Sequence, residues 1–320
     1  MPLSPLLDRR LVIVTGKGGT GKTTVAAALG LAAAAAGKRV LLAEVGPDEH
    51  VAPLLDPDAP SAGYEGRELR KGFSAMRIDP YDALGEYLGL QIGLAGVVRR
   101  VLANRAFRQL MDASPGWREL ITLGKIWHLE SLRDPSGAPR FDLIVVDAPA
   151  TGHGLTFLDV PRVVGSAVRA GPLRRHASWV EALIRDPART LLLPVALAEE
   201  LPARETAELV TRLRDQVGVA LDRVVVNAVT PPPYPPGSED LAARLARLPR
   251  DLEIPGAPPP SVLAACLEHL GARAALNGRW IRAIAESTGL PARVLPRLPL
   301  GVRGAADLER LAAPLLEDGS

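Results

Sequence analysis

The segment from Gly16 to Thr24 has the residue types and the spacing of a phosphate-binding loop. It reads Gly-Lys-Gly-Gly-Thr-Gly-Lys-Thr-Thr and matches the pattern G-x-x-x-x-G-K-[ST]. Glycines allow successive backbone N–H groups to point at phosphate oxygens, and the positive end of a following helix adds to the attraction. The residues predicted to bind a nucleotide here are Gly18, Gly19, Thr20, Gly21, Lys22, Thr23 and Thr24.

Three side chains are predicted to carry the chemistry at this loop. Lys22 would reach the β- and γ-phosphates, and the hydroxyl of Thr23 would contact Mg²⁺. Asp147 ends the apolar run at residues 141–147, which places its carboxylate at the carboxyl end of a strand, where ligands of open α/β sheets bind. We therefore predict Thr23 and Asp147 as metal ligands and Lys22 and Asp147 as catalytic residues.

The composition limits the classes of function. Of the 38 basic residues 33 are Arg and only 5 are Lys, yet two of the five lysines, Lys17 and Lys22, lie in this loop. The net charge of +2 gives no support to nucleic acid as a partner. Cys266 is the single cysteine, which excludes an internal disulfide framework and a zinc or iron–sulfur site built on the cysteines of one chain. We expect a cytoplasmic protein without zinc and without an integral membrane segment.

Apolar runs that alternate with helical patterns indicate an α/β fold, with a mostly parallel sheet and helices on both faces. Strands are predicted at residues 11–15, 40–43, 143–146, 191–197, 224–226 and 294–295, and helices at about 22–37, 200–216, 261–288 and 304–317. Together with the phosphate-binding loop, this order predicts a P-loop NTPase fold that forms one domain over residues 1–320.

Two stretches interrupt the alternation. Residues 81–133 contain many large apolar residues without a clear strand, which predicts a helical insertion within the domain. These helices would either present an apolar groove to a helical client or pack on their own domain or a dimer partner. Residues 231–260 contain ten of the thirty prolines and are predicted to form a surface excursion of polyproline geometry around a short helix near 238–248.

Two motifs resemble one family of nucleotide hydrolases. Lys-Gly-Gly-Thr-Gly-Lys-Thr, from Lys17, is similar to the deviant Walker A loop of the ParA and MinD superfamily. The sequence Asp-Ala-Pro-Ala-Thr-Gly-His-Gly-Leu, from Asp147, is similar to the switch II signature of the arsenite-pump ATPase and of the related eukaryotic ATPase that targets tail-anchored membrane proteins. His153 matches this signature, as a structural cap or as a sensor.

This resemblance implies how the protein works. It implies an Mg²⁺-dependent ATPase that binds ATP and ADP and is a homodimer or a heterodimer with a paralogue. It also implies that Lys17 is catalytic and contacts the nucleotide across the dimer interface, much as an arginine finger does. The family transmits nucleotide-dependent movement through switch II to its helical insertions, so a hydrophobic helical protein is a possible client at residues 81–133.

Further similarity concerns the adenine side of the site. Val-Val-Val-Asn, ending at Asn227, resembles the strand whose Asn contacts adenine, and residues 296–304 resemble the adenine-side loop. An amide side chain both donates and accepts hydrogen bonds, which suits an adenine edge. We therefore expect Asn227, Pro296 and Leu298 to contact the base, although an Asn at a strand end is also common in turns.

The chain departs from the family at switch I. Gly46 stands where the family has an Asp that positions the attacking water, and glycine has no carboxylate for this task. The acids that remain nearby are Glu44, Asp48 and Glu49, so hydrolysis could be slow or depend on a partner.

Alternatives to an efficient ATPase therefore stay open. One is a nucleotide-gated binding module that hydrolyses little or nothing and acts with a paralogue or partner. Another is a positioning ATPase similar to ParA or MinD, although no basic patch or anchor helix supports it. Arsenite transport is disfavoured because Cys266 alone cannot supply the cysteines that the family uses for metalloid.

Overall fold

The fold is built on one central sheet. The structure is a computed structural model that describes residues 6–92, 95–114, 116–149, 154–234, 238, 240–249, 256 and 258–316. The strands within these residues are β1 (Leu11–Gly16), β2 (Val40–Val45), β3 (Arg67–Arg70), β4 (Phe73–Ile78), β5 (Leu143–Asp147), β6 (Thr190–Leu197), β7 (Val224–Val229) and β8 (Ala292–Pro296). They lie in the order β3-β4-β2-β5-β1-β6-β7-β8.

The strands are joined mostly by helices. In the described part of the chain these are α1 (Lys22–Ala35), α2 (Val51–Leu55), α3 (Pro80–Ile92), α4 (Ala95–Ala103), α5 (Arg105–Ala113), α6 (Trp117–Ser131), α7 (Gly154–Ala167), α8 (Pro172–Arg185), α9 (Glu200–Arg212), α10 (Leu241–Ala246), α11 (Pro260–Thr288) and α12 (Ala305–Leu316). The predicted helix at 200–216 ends its α-helical part at Arg212 and continues as a π-helical turn over Leu213–Val217.

The predicted class, α/β with a mostly parallel sheet, is confirmed. β1 and β5 are buried along their whole length, as expected for strands covered by helices on both faces. Each strand pair is parallel except β3 with β4, which is antiparallel. The carboxyl ends of the parallel strands therefore meet at one edge of the sheet, where the phosphate-binding loop begins.

The prediction of six strands was wrong at β3 and β4. Half-buried Ser74 and Arg77 interrupt the apolar residues of β4, and β3 consists of Arg-Glu-Leu-Arg with most of its residues exposed. Neither segment is a continuous apolar run, which was the pattern used to predict the parallel strands. β3 is held in place by pairing with β4 rather than by its own apolar content, whereas β4 both pairs with its neighbours and buries Phe73 and Ile78 in the cores.

Two apolar cores cover the two faces of the sheet. Because side chains alternate along a strand, Val12 and Val145 face α1 and α12, whereas Ile13 and Val146 face the opposite layer of α6, α7 and α8. A third core joins β6 and β7 to α9 and α11. The central strands are thus fixed from both sides, which fixes the loops at their carboxyl ends.

Residues 81–133 are covered by four of these helices, α3 to α6. Leu123 and Ile126 of α6 are buried in the core beneath the sheet, so α6 is one of the helices that cover it. In α5, by contrast, no residue is buried. The division into one domain with a helical insertion stays a prediction. Among the described residues, no helix combines the length and apolar character needed to cross a bilayer.

Candidate nucleotide site

The loop between β1 and α1 is closed on itself by hydrogen bonds. The carbonyl oxygen of Lys17 accepts from the Thr20 hydroxyl at 2.9 Å and from Nζ of Lys22 at 3.2 Å. Gly21 has a φ of 85°, and a Cβ at this position would lie 2.2 Å from Nδ2 of Asn227. Glycine is therefore required here both by the backbone and by the space. The other predicted loop residues flank these bonds, namely Gly18, Gly19, Thr23 and Thr24.

Lys22 lies half-buried at the start of α1. Burial lowers the pKa of its ammonium group, and the nearby carboxylate of Asp147 partly opposes this change. A partly desolvated ammonium group gains more from a bound anion than an exposed one does. This environment suits the role predicted for Lys22 toward phosphate.

The structure joins Thr23 and Asp147, the two predicted metal ligands. The Thr23 hydroxyl donates a hydrogen bond to Oδ2 of Asp147 at 2.5 Å. Asp147 is 8% exposed, and burial raises the pKa of its carboxyl group against the opposing effects of Thr23, Lys22 and His50. The pairing brings a residue of α1 onto the end of β5, across a separation of 124 residues in the chain.

These residues fit a Mg²⁺ site. Oδ1 of Asp147 is buried and has no hydrogen-bond partner within the described residues, and a carboxylate oxygen left in this way is costly unless a ligand satisfies it. Mg²⁺ prefers oxygen ligands and is usually held by one or two protein groups, water and the phosphates of a substrate. Thr23 and Asp147 supply such oxygens beside the phosphate-binding loop.

Glu44 lies next to Asp147 on the neighbouring strand. The two residues are paired in the parallel register of β2 and β5, so their side chains emerge on the same face of the sheet. Oε1 of Glu44 accepts from the backbone N–H groups of His50 and Val51, at 2.7 and 3.1 Å. Burial, with a contribution from Asp147, raises the pKa of Glu44 to about 7 despite these bonds.

Two other acids near switch I were considered as replacements for the Asp that is absent at Gly46. The carboxylate of Glu49 accepts from the Ser61 hydroxyl and from the backbone N–H groups of Ala62 and Gly63, so both of its oxygens are occupied. Asp48 is exposed. Only Glu44 of these three acids is buried beside Asp147.

Gly46 borders open space. A Cβ at Gly46 would meet no described atom within 4 Å, and the residue lines a cavity of about 590 Å³ together with Pro47, Tyr81, Glu119 and Pro149. This cavity connects the segment after β2 to α3 and α6. A side chain at position 46 would therefore be accommodated without displacing a neighbour.

Asn227 contacts the loop itself, which the sequence did not predict. Its Nδ2 donates to the backbone carbonyl of Thr20 at 2.9 Å, so the end of β7 supports the phosphate-binding loop. Pro296 ends β8, in register with Val229 of β7, and Leu298 packs against the core on the α1 face. The expected contacts of Asn227, Pro296 and Leu298 with adenine stay predictions. In the contact of Asn227, Oδ1 would accept a hydrogen bond from the base.

A second supporting residue, Asn277 of α11, was also missed. It is 4% exposed, its Oδ1 accepts from the N–H of Thr230, and its Nδ2 donates to the carbonyl of Ala198. One buried amide thus links the ends of β6 and β7. A single Asn in a long helical pattern does not indicate from the sequence that its side chain links two strand ends.

Lys17 is paired within its own chain. Its Nζ lies 2.6 Å from Oε1 of Glu205 on α9, with 52% and 28% of the two side chains exposed. The predicted contact of Lys17 across a dimer interface is thus not made by a single copy, and it stays a prediction. His153 and the neighbouring residues 150–152 of the predicted switch II lie outside the described residues.

The fold and the site together define a P-loop nucleoside triphosphatase. A family model described as anion-transporting ATPase matches residues 9–177. The ATPase BagA of Mycobacterium tuberculosis is 37% identical over 244 residues, which cover 75% of this chain and 70% of that protein. The chain therefore belongs to the anion-transporting ATPase family and is an ATPase, as its resemblance to this family implied.

Other relatives extend this comparison. The arsenical pump-driving ATPase of Escherichia coli is 30% identical over 233 residues, which cover 68% of this chain but only 39% of that protein. ATPase GET3 of Rhodotorula glutinis is 28% identical over 271 residues, which cover 72% of this chain and 74% of that protein. The similarity thus spans relatives with different names.

Proposed function

We propose that this protein binds ATP together with Mg²⁺, hydrolyses the β–γ phosphoanhydride and uses the nucleotide state to move the helices of residues 81–133. The observation that carries the proposal is the hydrogen bond between Thr23 and Asp147. Beside it lie the half-buried Lys22 and Oδ1 of Asp147, to which no described group donates. At the carboxyl end of the central strands, Lys22 thus supplies a positive charge that can bind phosphate, and Thr23 and Asp147 supply oxygens that can bind a metal ion.

Each residue has a defined task in this reaction. The backbone N–H groups of the loop hold the phosphate oxygens, and Lys22 neutralises charge on the β- and γ-phosphates. Thr23 and Asp147 would hold the metal ion, which neutralises charge that develops on the phosphates during transfer. Asn227 keeps the loop in place through Thr20, so that these groups are positioned before ATP arrives.

The working unit of the proposal is a dimer, of two identical copies or of this chain and a paralogue. Lys17 supports it, because 52% of this side chain is exposed and its ion pair with Glu205 is on the surface. Such a pair stabilises the protein by only about 0–1 kcal/mol. Lys17 can therefore leave Glu205 for the nucleotide of a second subunit at little cost.

The proposed client is a hydrophobic helical protein. Leu110 on α5 is 64% exposed, and Trp179 on α8 is 49% exposed. Trp179 stacks on Trp127 of α6, with ring centroids 5.0 Å apart. Contiguous exposed apolar surface is typical of sites that bind another protein, and Trp is enriched among the residues that contact the partner.

Calorimetric titration with ATP and Mg²⁺ tests the proposed function. Wild-type protein is expected to bind, and Lys22→Ala is expected to weaken binding by about tenfold or more, since a charge-assisted contact to phosphate is lost. Lys71→Ala, at an exposed lysine outside the site, is the matched control and should bind as wild type. Equal affinity of Lys22→Ala and wild-type protein would contradict the proposal.

Gly46 supports a second candidate, a nucleotide-gated module that hydrolyses little. In this case the protein binds ATP through Lys22 but releases phosphate slowly unless a partner completes the site. Steady-state phosphate release by the isolated chain decides between the two, with Lys22→Ala as the background. Robust release that depends on Lys22 rejects the second candidate.

A further inference from the structure

We propose that Glu44 is the residue that positions the attacking water, in place of the carboxylate that is absent at Gly46. The inference rests on the proposed ATP hydrolysis and assigns it a residue that the phosphate-loop motif does not contain. It requires that Glu44 face the same space as Asp147, that it have an oxygen free for water, and that no other nearby acid be better placed.

The register of the sheet places Glu44 at the site. Glu44 pairs with Asp147, and neighbouring strands lie about 4.8 Å apart. Leu42, two residues before Glu44, and Val145, two residues before Asp147, both belong to the core on the α1 face. Glu44 and Asp147 therefore both point toward the face where α1 begins and where Thr23 already contacts Asp147.

One oxygen of Glu44 remains free for a ligand. Oε1 accepts both backbone bonds, from His50 and Val51, whereas Oε2 is buried and no described group donates to it. A carboxylate that served only to hold this segment would gain by satisfying or exposing its second oxygen. Oε2 of Glu44 and Oδ1 of Asp147, neither of which has a partner among the described residues, give the site two acceptors for a metal ion or a small polar molecule such as water.

The other acids are committed elsewhere. Glu49 has both oxygens occupied. Asp79 accepts from the N–H groups of Tyr81 and Asp82 with Oδ1 and forms an ion pair with Arg77 through Oδ2. Glu119 belongs to α6, which covers the opposite face of the sheet. Apart from Asp147, which is assigned to the metal ion, Glu44 alone among the described acids near position 46 combines burial, the correct face and an unpartnered oxygen.

The step itself needs no group beyond ATP and water. The water oxygen forms a bond to the γ-phosphorus, and the bond from this phosphorus to the β–γ bridging oxygen breaks, with its electron pair left on ADP. Both protons of the water end on the released phosphate, which leaves as dihydrogen phosphate and then loses a proton to solvent according to the pH. Glu44 accepts a hydrogen bond from the water and so keeps the water oxygen directed at the γ-phosphorus.

The test compares Glu44→Gln with Glu49→Gln. Glutamine at position 44 keeps an oxygen for the His50 and Val51 bonds, but its amide nitrogen donates and cannot accept from water. We expect Glu44→Gln to bind ATP with Mg²⁺ as wild type does and to lower kcat by about 100-fold, the effect of losing a group that acts on the reacting water. Glu49→Gln, the matched control, should keep its kcat.

A second readout does not depend on turnover. Affinity for ADP alone should be unchanged in Glu44→Gln, whereas the additional affinity that aluminium fluoride confers on ADP and Mg²⁺ should fall, since this complex mimics the transition state with its attacking water. A purely structural role of Glu44 would change both affinities together. Recovery of kcat in the double variant Glu44→Gln/Gly46→Asp, for which position 46 has room, would support the same conclusion.

Two different results would overturn the inference. If Glu44→Gln turns over as wild type while Lys22→Ala does not, Glu44 is not the positioning group and the proposed function stands. If wild-type protein shows no phosphate release that depends on Lys22, the proposed hydrolysis fails and the role of Glu44 fails with it.

Discussion

The ammonium group of Lys17 lies 2.6 Å from the carboxylate of Glu205, which ties the phosphate-binding loop to α9 of the same chain. Both side chains are partly exposed, so the pair is screened by water and salt. The resemblance to the family implies that Lys17 contacts the nucleotide of a neighbouring subunit. In a single copy, Lys17 instead forms an ion pair within its own chain.

Lys17 and Glu205 offer a matched pair of variants. Lys17→Ala removes the cation, and we expect kcat to fall by about 1,000-fold, as when an arginine finger is lost, with little change in ATP affinity. Glu205→Gln removes only the ion pair and should leave kcat at least as high as in wild type. Turnover measured over a range of protein concentrations checks this, and equal losses in the two variants would argue against a role of Lys17 in a second subunit.

The buried Glu44 predicts a pH dependence of stability in protein without metal. Its pKa is about 7 in the fold against 4.5 for a free glutamate, so the fold favours the neutral form. The resulting stabilisation is complete below pH 4.5 and is lost as the pH rises through 7. Relative to Glu44→Gln, wild-type protein should lose on the order of 3 kcal/mol of unfolding free energy across this window.

Urea unfolding of both proteins at pH 5 and pH 8 measures this difference. Comparing the two proteins at each pH cancels the titration of all other groups that they share. A difference that does not change between the two pH values would show that Glu44 is as well solvated in the fold as in the unfolded chain.

Thr23 is predicted to act through its hydroxyl group. Thr23→Ala removes the donor to Oδ2 of Asp147 and one oxygen for the metal ion, so the gain in ATP affinity that Mg²⁺ provides should fall by about tenfold or more. Thr23→Ser keeps the hydroxyl and is the control. Calorimetry with Mg²⁺ and with a chelator makes the comparison, and equal binding by the Ala and Ser variants would be the contrary result.

Asn227 is expected to select the base. One of the two N–H groups of its Nδ2 donates to the Thr20 carbonyl, and its Oδ1 is able to accept from the amino group of adenine, where guanine has a carbonyl oxygen that would repel it. Asn227→Ala should weaken ATP binding by about tenfold and reduce the preference for ATP over GTP. Asn227→Asp should also bind more weakly, because it lacks the donor to Thr20, but it should keep the preference. A preference unchanged in Asn227→Ala would exclude this contact.

The local parts of the site could be predicted from the sequence, whereas the distant contacts could not. Residues 16–24 form a continuous motif, and Asp147 ends a recognisable strand, so both were found. The bond from Asn227 to Thr20 joins residues 207 positions apart, and the pairing of Glu44 with Asp147 depends on the order of the strands. The absence of a carboxylate at Gly46 is visible in the sequence, but the acid best placed to replace it is visible only in the fold.

The same distinction applies to the sheet. The six predicted strands are continuous apolar runs, and the two that were missed, at one end of the sheet, are not. Half-buried Ser74 and Arg77 interrupt the apolar residues of β4, and β3 has only Leu69 as an apolar residue. The pattern of apolar residues therefore predicts the central strands of such a sheet better than the strands near its edge.

The charged strand at this margin has a consequence for how copies of the protein can meet. β3 is four residues long, carries Arg67, Glu68 and Arg70, and is the terminal strand of the sheet. A short strand with charged side chains resists the addition of another strand, which protects an open edge from aggregation. Two copies are thus discouraged from joining their sheets through β3, so the proposed dimer would form through other surfaces, such as the one that carries Lys17.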